Sequence, residues 1–141
     1  MGKKNNELLR TENIIKDFGS LRAVDNLSLK LEEGEIRGLI GPNGSGKTTL
    51  VNLITGVYRP TSGGVYFSGR RIDRLSPDNI THEGIMRTFQ VARMFVDMSV
   101  LENMLIPAFT QGTSKREACH RAKQLLDFCL LGKLSLSLIH I

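Results

Sequence analysis

The sequence predicts an α/β fold in which an antiparallel β layer at the N-terminus precedes a strand–loop–helix core. Three observations support this prediction. Two long β-type segments, 8–18 and 24–31, open the chain, and apolar and polar residues alternate in the second. A compact apolar run at 36–40 leads directly into a glycine-rich loop at 41–46. Apolar residues then recur at helical spacing over 47–57, which predicts an amphipathic helix.

The composition excludes several classes of protein. The chain of 141 residues has a net charge of +5, and it contains no uncharged apolar run of the ~18 residues that a membrane span needs. Cys119 and Cys129 lack the spacing of a zinc site, so we expect free thiols. The densest basic cluster is Arg70, Arg71 and Arg74, but few aromatic residues accompany it. We therefore expect no nucleic-acid partner, and interpret the basic residues as a solvated face or one that meets acidic headgroups or a partner.

Beyond the first helix, the pattern returns to β structure and then becomes mostly helical. A turn cluster precedes a predicted strand at 65–68. Ser76 is a favourable N-cap and Pro77 a favourable first residue, so a short helix is predicted that ends at Gly84. A further strand is predicted over 85–90.

Two capping boxes predict the starts of two later helices. Ser99 with Glu102 forms the first box, and Ser114 with Glu117 forms the second. The apolar face of the second helix is expected to contain Ala118, Ala122, Leu125 and Cys129.

The glycine-rich loop matches the pattern G-x-x-x-x-G-K-[ST] through Gly41, Gly46, Lys47 and Thr48. Glycines let the backbone N–H groups turn inward around anionic oxygens, and the helix that follows presents its positive end to the same place. Lys47 adds a charge for the β- and γ-phosphates, and Thr48 offers a hydroxyl to Mg²⁺. The sequence therefore predicts a P-loop nucleoside triphosphate hydrolase core with ATP and Mg²⁺ as cofactors, the alternative being a glycine-rich turn that only caps a helix. The residues predicted to surround the phosphates are Gly41, Pro42, Asn43, Gly44, Ser45, Gly46, Lys47, Thr48 and Thr49.

A phosphate loop alone does not separate kinases, GTPases, motors and transporters. Here the loop reads Gly-Pro-Asn-Gly-Ser-Gly-Lys-Thr-Thr, which resembles the ATP-binding subunits of ABC transporters. Upstream, Lys-Asp-Phe-Gly at 16–19 followed by Ala23 and Val24 resembles the aromatic A-loop of that family. The resemblance implies that Phe18 stacks on the adenine and that Val24 packs near the base and ribose. The alternative for Phe18 is a core residue at the end of a strand.

Downstream, Arg-Thr-Phe-Gln at 87–90 resembles the Q-loop of the same family. This implies that Gln90 helps to hold Mg²⁺ and the attacking water, and that it relays the nucleotide state to membrane subunits. By this resemblance Lys47 and Gln90 are the catalytic candidates, and Thr48 and Gln90 are the candidate Mg²⁺ ligands.

Two sequence segments resemble one subfamily of these ATP-binding subunits in particular. Gly-Ile-Met-Arg-Thr-Phe-Gln at 84–90 and Met-Ser-Val-Leu-Glu-Asn at 98–103 resemble the subunits that power branched-chain amino acid import. The resemblance covers about residues 7–134. It implies a peripheral protein on the cytoplasmic face of the membrane that forms a head-to-tail dimer with a second ATP-binding subunit. The other implied partners are transmembrane permease subunits and, indirectly, a solute-binding protein. The permease face is expected to include 91–98, with ordinary core as the alternative.

Other motifs of that family do not occur in the sequence. It contains no LSGGQ-like signature, no apolar strand that ends in Asp-Glu and no switch histidine in the family's context. Hydrolysis needs a positioned water and a carboxylate to take up its proton, so we expect this chain to bind ATP and Mg²⁺ but to be inactive. The fold is accordingly predicted to be truncated before the signature motif. Residues 1–134 would form a partial ABC ATPase domain and 135–141 a non-native tail read from a sequencing adapter, the alternative being a genuine apolar tail.

A partial core has a consequence for stability. It leaves sheet edges and an apolar face uncovered, so we expect marginal stability or aggregation.

The alternative functions are a non-hydrolysing regulatory nucleotide-binding module and a soluble ABC ATPase that acts on ribosomes or DNA. The latter predicts tandem cassettes or basic insertions, and the sequence contains neither. A small-molecule kinase is disfavoured because no lid or acceptor pocket is recognisable after the loop.

Overall fold

The computed structural model of the chain describes residues 6–89, 94–109 and 114–138. They form two compact units, one through Arg87 and one from Thr88 onward. The first unit contains β1 (Glu7–Phe18), β2 (Leu21–Glu32), α1 (Lys47–Ile54), β3 (Ser62–Phe67), β4 (Arg70–Arg71) and α2 (Pro77–His82). The second contains α3 (Val100–Phe109), α4 (Lys115–Phe128) and a 3₁₀ turn at Gly132–Leu134.

The four strands form one antiparallel sheet in the order β2-β1-β3-β4, which confirms the predicted β layer. Thr11 is buried in the irregular pairing of β1 with β2. Its hydroxyl accepts a hydrogen bond from the Leu29 amide at 3.1 Å and donates to the Leu27 carbonyl at 3.4 Å. The hydroxyl thus satisfies backbone groups that an irregular ladder would otherwise leave unpaired.

The core of the first unit lies between the sheet and the two helices. Leu50 and Leu53 of α1 and Ile80 of α2 pack with sheet residues in one buried cluster. The other buried members of this cluster are Ile14, Val24, Val65 and Ile72. Burial of one apolar face of α1 against the sheet fixes the helix that follows the glycine-rich loop.

Two predicted strands are not present. The run 36–40 has no regular structure, and Ile36 and Ile40 are 99% and 95% exposed. A buried parallel strand needs hydrogen-bonded neighbours, and none of the described strands pairs with this run. Residues 85–89 also lack strand pairing, and Gln90 lies outside the described residues.

Both predicted helix starts in the second unit are confirmed. At α3 the Glu102 carboxylate accepts from the Ser99 amide at 2.8 Å, and the Ser99 hydroxyl accepts from the Glu102 amide at 3.2 Å. At α4 the Ser114 hydroxyl accepts from the Glu117 amide at 3.3 Å. The Glu117 carboxylate, however, contacts the Arg121 guanidinium at 2.6 Å. Glu117 therefore forms an ion pair with a residue one turn further along the helix.

The predicted apolar face of α4 is wrong in two of its four members. Ala118, Ala122 and Leu126 are buried, whereas Leu125 is 53% exposed and Cys129 is exposed. The buried positions are four residues apart and form one stripe, whose two alanines pack with Leu105 of α3. The buried stripe of α4 therefore runs through Leu126 and not through Leu125.

The segment after the 3₁₀ turn lies against the start of α3. The Val100 amide donates to the Ser137 carbonyl at 3.0 Å, and the Leu101 amide donates to the Ser135 carbonyl at 2.8 Å. These are first-turn amides, which have no partner within their own helix. The non-native origin of 135–141 stays a prediction.

Candidate phosphate-binding site

The glycine-rich loop leads directly into α1. Gly44 and Gly46 have φ angles of 83° and 82°, the left-handed region that glycine adopts without steric cost. Gly46 is also the N-cap of α1, and its carbonyl accepts the Leu50 amide at 2.8 Å. The amides of the first turn have no intrahelical acceptor and therefore point toward the loop, where they favour an anion.

The loop approaches strand β2 so closely that only glycine fits at position 46. A Cβ atom on Gly46 would lie 2.3 Å from the carbonyl oxygen of Ala23 and 3.5 Å from Cγ2 of Val24. At the other end, a Cβ on Gly41 would lie 2.7 Å from Oγ of Ser45. The curl of the loop is thus fixed by contacts with β2 as well as by its own glycines.

Lys47 folds back over the loop. Its ammonium donates to the carbonyls of Gly41 at 2.8 Å and Pro42 at 2.6 Å, and reaches Oγ of Ser45 at 3.3 Å. These contacts hold a positive charge against the loop. Thr48, one residue further, is exposed, and Thr49 is partly buried.

A cleft of about 410 Å³ lies between the loop and β2. Its volume is within the range of about 300–1,000 Å³ that is typical of small-molecule sites. The predicted residues Val24, Gly41, Pro42, Ser45, Gly46 and Lys47 line it. Prediction from sequence missed the six other lining residues, which are Ala23, Asp25, Leu27, Leu39, Ile40 and Leu50. Leu39 and Ile40 directly precede the loop, whereas the nearness of the other four depends on how β2 and α1 pack, which no local pattern shows.

The carboxylate in this cleft is paired with a neighbouring guanidinium. Asp25 Oδ1 lies 3.1 Å from the Arg22 guanidinium, which also contacts Asp17 at 2.9 Å. The hydrogen bonds to Asp17 and Asp25 raise the pKa of Arg22 above its ordinary value. Because one guanidinium is shared by two carboxylates, the pairing only partly offsets the charge of Asp25 in the cleft.

Phe18 is 42% exposed, belongs to neither buried cluster, and is not among the residues that line the cleft. The alternative of a buried core phenylalanine is therefore wrong. Its ring meets that of Tyr58 edge to face, with centroids 5.2 Å apart and an interplanar angle of 79°. Tyr58 was missed from the sequence because a single aromatic in a turn region gives no signal of a partner forty residues away.

The remaining predicted residues divide into two sets. Asn43 and Gly44 are exposed at the tip of the loop. Gln90 and the start of the predicted permease face, Val91, lie outside the described residues. Within 6–89, 94–109 and 114–138 no three His, Cys, Asp or Glu side chains cluster to hold a metal ion. No helix in the same ranges is long and apolar enough to span a membrane.

Comparison with known proteins identifies the family. The family model described as ABC transporter matches residues 24–136. A probable branched-chain amino acid transport ATP-binding protein LivG from Methanocaldococcus jannaschii is 40% identical over 91% of this chain and 55% of its own length. A high-affinity branched-chain amino acid transport ATP-binding protein LivG from Salmonella typhimurium is 45% identical over 74% of this chain and 41% of its own length. The chain thus spans about half the length of the curated relatives it matches.

Solved structures agree with this match. A nucleotide-free ATP-binding cassette from an ABC transporter is 38% identical with a TM-score of 0.78, over 93% of this chain and 57% of that one. An ADP conformation of an ABC transporter cassette is 38% identical with a TM-score of 0.79, over 93% and 57%. A dimeric post-hydrolysis cassette bound to ADP and Pi is 26% identical with a TM-score of 0.76, over 94% and 62%. The chain belongs to the ABC transporter family and has the fold of its ATP-binding cassettes.

Proposed function

We propose that this chain binds ATP with Mg²⁺ at the Gly41–Thr48 loop and is part of the energy-coupling subunit of an ABC transporter for branched-chain amino acids. The observation that carries the proposal is the geometry of the loop. Two left-handed glycines curl its backbone, helix α1 begins at its end with the positive pole of the helix toward it, and the Lys47 ammonium donates to two of its carbonyls. An anionic triphosphate is the ligand that satisfies all three features at once.

The residues present also fit Mg²⁺. The Thr48 hydroxyl is exposed at the start of α1, beside the proposed phosphates. Mg²⁺ usually takes one or two protein oxygens and completes its shell with phosphate and water, so the lack of a carboxylate cluster in the described ranges is compatible with the ion. Bound Mg²⁺ would offset phosphate charge. Gln90 is the second proposed ligand.

We propose further that the chain alone does not turn over ATP at an appreciable rate. Lys47 can hold the γ-phosphate, and Gln90 is the proposed contact of the attacking water. Neither is a general base, and the sequence has no apolar strand ending in Asp-Glu to supply one. The measurement is phosphate release: the chain should release phosphate no faster than its Lys47→Ala variant.

The transport role is proposed from the relatives. Those described above are named as branched-chain amino acid transport ATP-binding proteins. The proposed partners are a second ATP-binding subunit in a head-to-tail dimer, transmembrane permease subunits and, indirectly, a solute-binding protein. Dimeric cassettes among the similar structures support the first of these. Such a protein would lie peripherally on the cytoplasmic face of the membrane.

Two variants test the nucleotide site in the 141-residue chain. Lys47→Ala removes the ammonium over the loop, whereas Lys123→Ala removes one charge from α4 and serves as the matched control. A hydrogen bond between an ammonium and phosphate contributes about 1.5–3 kcal/mol, so ATP affinity measured by calorimetry should fall by about ten- to a hundredfold in Lys47→Ala. Lys123→Ala should bind as the parent does. Equal affinity of Lys47→Ala and the parent would remove the claim.

A further inference from the structure

We propose that Tyr58 is a positioning residue for the base of the nucleotide, because it holds the Phe18 ring in the orientation that receives the adenine. The inference rests on the proposed function, in which Phe18 stacks on the base. It assigns to Tyr58 an action through Phe18 and no direct contact with the ligand.

The two rings come from different elements. Phe18 ends β1, at the turn to β2, where its backbone pairs with Leu21. Tyr58 follows the end of α1, and its amide donates to the Asn52 carbonyl at 3.1 Å, so that helix anchors its backbone. The edge-to-face contact, with ring centroids 5.2 Å apart, therefore joins the tip of the hairpin to the end of α1. Such pairs restrict ring orientation beyond what burial alone achieves.

Lys16 contacts both rings of the Phe18–Tyr58 pair. It lies two residues before Phe18 on β1, and side chains two apart lie on the same side of a strand. Its ammonium lies over the Phe18 ring, 5.0 Å from the centroid, and 5.7 Å from the centroid of Tyr58, while donating to the Arg59 carbonyl at 2.9 Å. A cation thus lies over one face of Phe18, and the proposal places the base on the opposite face.

Helix α1 connects the Phe18–Tyr58 ring pair to the phosphate loop. The loop enters α1 at its N-terminus, and Tyr58 follows its C-terminus. Phe18 is 42% exposed next to Gly19, and in this proposal the contact with Tyr58 sets the orientation of its ring. A ring that is already oriented needs no ordering when the base binds, so Tyr58 strengthens nucleotide binding through preorganisation.

The test compares ATP with inorganic tripolyphosphate, which carries the phosphates without a base. Titration of the 141-residue chain with each ligand is measured for the parent, Tyr58→Leu and Tyr58→Phe, and Tyr66→Leu controls for loss of the other tyrosine. We expect Tyr58→Leu to weaken ATP about three- to tenfold and to leave tripolyphosphate unchanged. Tyr58→Phe keeps the edge-to-face contact and should bind ATP as the parent does.

Each other outcome has a distinct meaning. Equal weakening of ATP and tripolyphosphate in Tyr58→Leu would show that Tyr58 supports the loop as a whole, and would overturn the proposal. The same holds if Tyr58→Phe loses as much affinity as Tyr58→Leu, since the hydroxyl would then be the active group, or if neither variant changes ATP binding. Failure of the parent to bind tripolyphosphate would instead refute the phosphate site itself.

A fluorescence readout tests whether the base lies next to the Phe18–Tyr58 ring pair. The chain has no tryptophan and two tyrosines, so Tyr66→Phe leaves Tyr58 as the only reporter. Adenine stacked on Phe18 should quench the emission of Tyr58 on addition of ATP, and tripolyphosphate should not. Quenching of equal size by the two ligands would contradict a base next to this ring pair.

Discussion

Replacement of Gly46 by alanine should disrupt the phosphate loop far more than the same replacement at Gly44. Both glycines are left-handed, with φ angles of 82° and 83°, so alanine meets nearly the same backbone strain at each. A Cβ on Gly44 would have nothing within 4 Å, whereas a Cβ on Gly46 would lie 2.3 Å from the Ala23 carbonyl oxygen. The pair therefore isolates the close approach of the loop to β2.

The magnitude follows from two terms. An L-residue in the left-handed region costs about 1–2 kcal/mol, and this is the whole expected effect at Gly44. At Gly46 the new methyl lies well inside van der Waals contact with a backbone atom, which cannot rotate away as a side chain can. Overpacking of this kind costs about 1–3 kcal/mol more, so Gly46→Ala should cost about 2–5 kcal/mol in total.

Urea unfolding measures the loss of stability in each variant, and titration with tripolyphosphate measures the loss of affinity. Gly46→Ala should unfold at a lower urea concentration than Gly44→Ala and should bind tripolyphosphate more weakly, because relief of the clash must move either β2 or the start of α1. Equal unfolding midpoints and equal affinities would mean that the loop does not approach Ala23 as described, and the account of the cleft would fall with it.

Two further predictions concern stability. Burial raises the pKa of Asp73, but hydrogen bonds from Arg71 and the Val65 amide outweigh it and hold that pKa below its ordinary value. The stability that Asp73 contributes is present above its unfolded pKa of about 3.9 and is lost as the pH falls through the lower folded value. Below about pH 4, the free energy of unfolding of Asp73→Asn should fall less with decreasing pH than that of the parent. An equal fall in the two proteins would count against the Asp73–Arg71 pair. Leu126→Ala should cost about 2–5 kcal/mol and Leu125→Ala about 0.5 kcal/mol or less, since Leu126 is 2% and Leu125 53% exposed. If Leu125→Ala lowered the melting temperature more than Leu126→Ala, the helix face predicted from sequence would be correct.

Local chemistry was predictable from the sequence, and long-range packing was not. The start of α3 depends on Ser99 and Glu102, which are three residues apart, so a short pattern contains the whole signal. The buried stripe of α4 depends on where α3 lies, and the pattern alone selected Leu125 in place of Leu126. The same distinction separates the phosphate loop, which the motif predicts, from Tyr58, whose contact with Phe18 joins two distant parts of the chain.

The run 36–40 shows the limit of pattern reading most directly. Its apolar composition is that of a buried strand, but a strand also requires neighbours, and in the described chain the run is unpaired. Ile36 and Ile40 are almost fully exposed as a result. This surface supports the expectation of marginal stability or aggregation, which stays a prediction.

In the proposed function, the contacts of Lys47 make phosphate binding an exchange of hydrogen-bond partners. Its ammonium already has the carbonyls of Gly41 and Pro42 as acceptors, so an arriving phosphate replaces neutral oxygens with anionic ones. The net gain is the difference between two sets of hydrogen bonds and is smaller than the strength of the new set. The same lysine keeps the two carbonyls satisfied in the meantime. If the proposed function holds, the loop would thus retain its curvature between one ligand and the next, and exchange of the nucleotide would not need to rebuild it.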